Sequence, residues 1–70
     1  KPINNLKIKI SDFNKIDILS NILNTQGDVS ILIEIYENNE KYTFKLKNKR
    51  FVDQNIINFI KNQGISTSIS

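Results

Sequence analysis

The sequence predicts a small α+β domain with a ferredoxin-like or related two-layer fold. Two segments place apolar residues at helical spacing, and four segments alternate apolar and polar residues as strands do. Their order is β-α-β-β-α-β, which favours a four-stranded, mostly antiparallel sheet with two helices on one face. The 70 residues allow one such domain. We therefore expect a single domain over residues 6–70, preceded by a leader or linker end at residues 1–5.

The best-defined element is a β-hairpin over residues 28–47. Asn38 and Asn39 suit the left-handed backbone of a two-residue type I′ turn. Counting outward from this turn predicts three apolar cross-strand pairs on one face: Ile35 with Tyr42, Ile33 with Phe44 and Ile31 with Leu46. A register slip of one residue would place isoleucine opposite lysine, so the turn and the apolar pattern predict the same strand pairing.

The remaining elements follow from the same rules. Leu6–Ile10 alternates as a first strand with its lysines outward. Ser11 or Asp12 is expected to cap a helix that ends near Thr25, with Gly27 as its left-handed stop. Asp53 is expected to cap a second helix that Gly64 ends, and residues 65–70 alternate as a short edge strand.

The charge pattern raises the question of nucleic-acid binding. The net charge is +3, and a ferredoxin-like sheet would place its first strand beside its third. Lys7 and Lys9 would then form one patch with Lys45 and Lys47 on the helix-free face. The same charge also fits codon bias of an AT-rich genome, since the chain is rich in Ile, Asn and Lys. Recognition of RNA by base stacking is not expected, because the register turns Tyr42 and Phe44 inward.

Composition argues against catalysis, metal binding and cofactor binding in this segment. The chain has no Cys and no His, which leaves carboxylates and hydroxyls as its reactive side chains. Most of its carboxylates occupy expected cap or turn positions, none pairs with a second catalytic group, and its two glycines form no phosphate loop. The lack of cysteine fits a reducing compartment such as the cytoplasm, and no apolar run is long enough to span a membrane.

A protein-docking surface is the other candidate. Leu32 and Tyr36 face outward on the second strand, and Ile18 lies at the edge of the first helix's apolar stripe. Exposed apolar groups of this kind mark contact sites when they are contiguous, and are ordinary when they are scattered.

The order of these pieces resembles the extreme C-terminal domain of the bacterial DNA polymerase III alpha subunit. The resemblance runs from about Leu6 to Ile69 and includes the Gly27-Asp28 step into a hydrophobic strand and the Arg50-Phe51-Val52 segment before the last helix. Ser30 stands where that family usually has proline, and Phe51 separates the family's Arg-Val pair.

The resemblance implies a role in DNA replication. The parent chain would be a DNA-directed DNA polymerase, a cytoplasmic nucleotidyltransferase whose catalytic residues lie in other domains, and the chain's start at Lys1 also suggests a piece of a longer polypeptide. This segment would be non-catalytic and would contact the tau subunit of the clamp loader. The alternative is a small basic nucleic-acid-binding module that uses the outward lysines. Neither interpretation implies a membrane or a small-molecule substrate.

Overall fold

The computed structural model describes residues 2–70 and confirms the small α+β two-layer fold. In chain order the elements are β1 (Asn5–Ile10), a short 3-10 helix (Phe13–Lys15), α1 (Ile16–Ile22), β2 (Gln26–Glu37), β3 (Glu40–Lys45), α2 (Gln54–Asn62) and β4 (Ser66–Ile69). Lys1 of the expected leader lies outside the described residues. The next few residues join the fold: Ile3 packs against the core, and the amides of Asn4 and Asn5 donate to the Ser70 carbonyl.

The strand order is β3-β2-β1-β4, which differs from the ferredoxin-like order. β1 pairs in parallel with β2 and antiparallel with β4, while β3 pairs only with β2. The expected adjacency of the first and third strands is therefore wrong, because β2 lies between them. β1 and β2 are the two central strands. Their inward side chains are aliphatic and buried, as expected for strands with a neighbour on each side.

The predicted hairpin register is confirmed. Ile35 pairs with Tyr42 and Ile33 with Phe44, and the Leu46 amide donates to the Ile31 carbonyl at 3.0 Å just beyond the end of β3. Asn38 and Asn39 have φ values of 54° and 65°, as a type I′ turn requires. The turn and the alternation together determine which side chains face the helices.

The first helical segment differs from the prediction. The Asp12 side chain accepts a hydrogen bond from the Asn14 amide at 2.9 Å and so caps the 3-10 helix that leads into α1. However, α1 ends at Ile22, and Gly27 lies inside β2. Gly27 is needed for close approach: a Cβ there would lie 2.7 Å from the Arg50 carbonyl carbon and closer still to the backbone of Phe51.

The second helix follows the prediction. The Asp53 carboxylate accepts from the Ile56 amide at 2.9 Å, and Gly64 takes a φ of +76° after the last turn. Among residues 2–70, no helix has the length and apolar character needed to cross a membrane.

The core is aliphatic. Both helices pack on the same sheet face, where Leu19, Leu23, Ile57 and Ile60 join the inward residues of β1 and β2 in a single buried cluster. All six aromatic residues, in contrast, are 41–49% exposed: Phe13, Tyr36, Tyr42, Phe44, Phe51 and Phe59. The aromatic side chains are therefore available at the surface.

Candidate docking groove and charged sheet face

An apolar groove runs along the inner face of β3. Phe13, Phe44, Leu46 and Arg50 contribute to a cavity of about 350 Å³, together with Ile16, Leu19, Ser20, Leu23 and Ile33. A second hollow of about 260 Å³ shares Phe13 and Phe44 and reaches Ile35, Glu37 and Tyr42. The shared rings make the two hollows one continuous surface, which we call the β3 groove.

The groove exists because no helix covers β3. Tyr42 and Phe44 face the helix layer, as predicted, but each remains 48% exposed and neither is part of the buried core. Sequence alternation identifies the face on which a side chain lies, whereas its burial depends on whether a helix lies over that strand. The inward orientation of the two rings, predicted from the register, therefore does not bury them in the core.

Arg50 holds one end of the groove together. Its Nη1 donates to the Leu23 carbonyl at 2.7 Å, just beyond the end of α1, and its Nε donates to the Asn48 carbonyl at 3.1 Å. The backbone at Arg50 bridges both Gln26 and Val29 of β2. In the sequence, Arg50 stands out only as the first residue of the Arg50-Phe51-Val52 segment.

The opposite face of the sheet carries a charged cluster around Glu34. This carboxylate is buried, with the residue 6% exposed, although no helix covers it. Its Oε2 lies 3.8 Å from the Nζ of both Lys7 and Lys41, and its Oε1 accepts from the Tyr36 hydroxyl at 3.2 Å. Glu34 therefore offsets part of the positive charge of this face.

The predicted lysine patch is divided. Lys7 and Lys45 both flank Leu32 in the ladder, so β2 separates them, and two strand spacings amount to about 9.6 Å. Lys9 lies in the next row, beside Glu34, and Lys47 lies beyond the end of β3. Lys7, Lys9 and Lys45 share one face, but they do not form the contiguous cluster that adjacent first and third strands would have produced.

The three residues expected at a docking surface are also separated. Leu32 and Tyr36 lie on the helix-free face, whereas Ile18 belongs to the helix layer and lines a hollow of about 240 Å³ with Asn21, Ile22 and Phe59. Ile18 therefore cannot share a continuous surface with Leu32 and Tyr36. Each of the three surfaces, the groove, the sheet face and the helix hollow, carries at least one exposed ring.

No set of three or more His, Cys, Asp or Glu side chains within residues 2–70 is arranged to hold a metal ion. Searches with the chain find no matching protein-family model, no matching curated protein and no matching solved structure.

Proposed function

We propose that this chain is a non-catalytic protein-docking domain and that the β3 groove is its contact surface. The observation that carries the proposal is the juxtaposition of Phe13, Tyr42 and Phe44, each about half exposed, over one continuous hollow. Aromatic side chains in a concave, largely apolar setting are the groups that most often dominate protein interfaces.

The exposed surface is large enough to support a specific contact. A large aromatic side chain presents about 200 Å², so three half-exposed rings offer roughly 300 Å² of apolar surface. At about 25 cal/mol per Å², covering them contributes about 7 kcal/mol before the costs of association are subtracted. Those costs, about 4–15 kcal/mol, offset most or all of this contribution, so the rings account for a weak, tethering contact to which the partner's own buried apolar surface adds.

The resemblance suggests the partner. We propose that the parent chain is a cytoplasmic DNA polymerase III alpha subunit and that the partner is the tau subunit of its clamp loader. The support is the Gly27-Asp28 step, the Arg50-Phe51-Val52 segment and the order of elements. Arg50 and Gly27 also have a clear physical purpose in this fold, since they bring residues 49–51 against β2 and shape one end of the groove.

Three matched truncations test which surface binds. Phe44→Ala removes a ring from the groove, Phe59→Ala removes one from the helix hollow beside Ile18, and Tyr36→Ala removes one from the helix-free face. The three side chains have similar exposure, between 41% and 48%. Tau from the same genome is titrated onto each immobilised variant, and thermal unfolding confirms that each is folded.

We expect Phe44→Ala to weaken tau binding at least tenfold, while the other two variants stay within twofold of wild type. A tenfold loss corresponds to about 1.4 kcal/mol, a modest part of what the rings contribute. Absence of tau binding to the wild-type chain would exclude the proposed partner. Binding that Phe44→Ala leaves intact would place the interface on another surface.

The second candidate function is nucleic-acid binding through the helix-free face. Lys7, Lys9 and Lys45 lie on this face without a covering helix, which is the observation that favours it. Because Glu34 opposes phosphate at the centre of the face, Glu34→Gln should strengthen binding of a dT15 oligonucleotide and Lys45→Glu should weaken it. This candidate is favoured if dT15 binding falls steeply with salt, rises in Glu34→Gln and falls in Lys45→Glu. It is excluded if neither variant changes dT15 binding.

A further inference from the structure

The β3 groove has the dimensions of one short helix. On the inner face of the sheet, the inward residues of β1 and β2 are buried beneath the helices, whereas all six residues of β3 are exposed along a strand of about 20 Å. A helix of about 13 residues has the same length at 1.5 Å per residue. A partner helix in this position would lie beside α1 and complete the helix layer.

The free edge of β3 is poorly suited to adding a strand or a second copy of this chain. In the antiparallel self-pairing that would join Tyr42 to Phe44 of the second copy, Lys41 would lie directly opposite the second copy's Lys45. Like charges placed opposite each other destabilise a strand pair, and lysine on an edge strand is a common device against such pairing. A helix seated on the inner face avoids both lysines, because they point to the other face.

The two ends of the groove carry opposite charge. Segment 46–50 follows β3 and contains three cations and no carboxylate: Lys47, Lys49 and Arg50. At the turn end, Glu37 lines the groove and Glu40 accepts from the Tyr42 hydroxyl at 3.0 Å. The ends are separated by about 17 Å, roughly twice the Debye length of about 8 Å at physiological ionic strength, so a ligand meets them as two distinct charges.

We infer that the groove accepts an amphipathic helix of the partner protein, apolar on the side that faces Phe13 and Phe44, with its acidic end at segment 46–50 and its basic end at the turn. This inference rests on the proposed docking function and adds the chemistry and orientation of the bound segment. Charge complementarity sets the orientation, while the aromatic rings supply most of the affinity.

The test uses two synthetic 14-residue helical peptides with the same composition and the same apolar stripe. The block peptide carries three glutamates in one terminal turn and three lysines in the other, and the control peptide alternates these charges along its polar face. We expect the block peptide to bind the chain about fivefold more tightly than the control, and Phe44→Ala to weaken both peptides at least tenfold.

A pair of charge-reversed variants separates local from overall charge. The double variant Lys47→Glu with Lys49→Glu and the matched double variant Lys9→Glu with Lys61→Glu each change the net charge from +3 to −1. We expect only the first to abolish the preference for the block peptide. Equal binding of the two peptides to wild type, or equal effects of the two double variants, would overturn the inference.

The remaining outcomes distinguish this inference from the proposed function. A preserved preference for the block peptide without any binding of tau would leave the groove's chemistry standing and remove the proposed partner. If tau binds through Phe44 but the chain shows no preference for the block peptide, tau stands as the partner and the proposed charge orientation of the bound helix falls. Tight binding of dT15 that Phe44→Ala abolishes would show that the groove takes nucleic acid and would overturn the helix assignment.

Discussion

Replacing Gly27 by alanine should destabilise the chain through a backbone collision. The added Cβ would lie closer to backbone atoms of Arg50 and Phe51 than van der Waals contact allows, and backbone atoms cannot rotate away as a side chain can. The collision would separate residues 49–51 from β2 and weaken two hydrogen bonds, from the Phe51 amide to the Thr25 carbonyl at 2.7 Å and from the Gly27 amide to the Lys49 carbonyl at 3.3 Å.

The size of the effect follows from these contacts. Overpacking costs about 1–3 kcal/mol, and each weakened hydrogen bond about 1 kcal/mol. The reduced entropy of the unfolded chain offsets about 0.4–1 kcal/mol. We expect a net loss of about 2–5 kcal/mol, from a domain whose whole stability is about 4–10 kcal/mol at typical values per residue.

Urea denaturation followed by far-UV circular dichroism measures this loss. With a slope of about 1 kcal/mol per M for a domain of this size, the midpoint should fall by about 2–5 M. Gly64 provides the control, because its φ is +76° and nothing lies within 4 Å of an added Cβ. Gly64→Asn should be tolerated, since asparagine accepts left-handed backbone, whereas Gly27→Asn should be as damaging as Gly27→Ala. A Gly27→Ala midpoint within 0.5 M of wild type would refute the steric argument.

Three further predictions concern stability. Asn39→Gly should stabilise the hairpin by a few tenths of a kcal/mol to about 1 kcal/mol, because Asn-Gly is the preferred type I′ pair, and a lowered urea midpoint would contradict this. Asp53→Ala should cost about 1 kcal/mol by removing the α2 cap, whereas Asp53→Ser should retain most of the stability; equal losses for both would show that the cap hydrogen bond is unimportant. Glu34→Gln should cost about 1 kcal/mol at low salt by removing its two lysine pairs, and the difference from wild type should narrow in 1 M NaCl; a salt-independent difference would point to packing instead.

Local features of this chain were predictable from sequence because they depend on near neighbours. The pairing of Ile33 with Phe44 follows from two-residue alternation and the Asn38-Asn39 turn. The Asp53 cap and the left-handed Gly64 follow from helix-end chemistry. The single helix-covered face follows from the agreement between the apolar stripes and the strand alternation.

The features that were missed depend on distant parts of the chain. A glycine three or four residues after an apolar stripe looks like a helix stop, but Gly27 is required by the backbone of residues 50 and 51. The strand order decides which strand lacks a helix, and hence that Tyr42 and Phe44 remain half exposed. The candidate groove therefore could not be derived from alternation alone, although its aromatic residues were already visible in the hairpin.

The exposure of both tyrosines gives the chain a built-in optical reporter for each sheet face. The protein contains no tryptophan, so its near-ultraviolet fluorescence comes from Tyr36 on the helix-free face and Tyr42 in the groove. Tyr36→Phe leaves an emitter that senses occupancy of the groove, and Tyr42→Phe leaves one that senses the charged face. A titration of each single-tyrosine protein can then locate a bound ligand without a label.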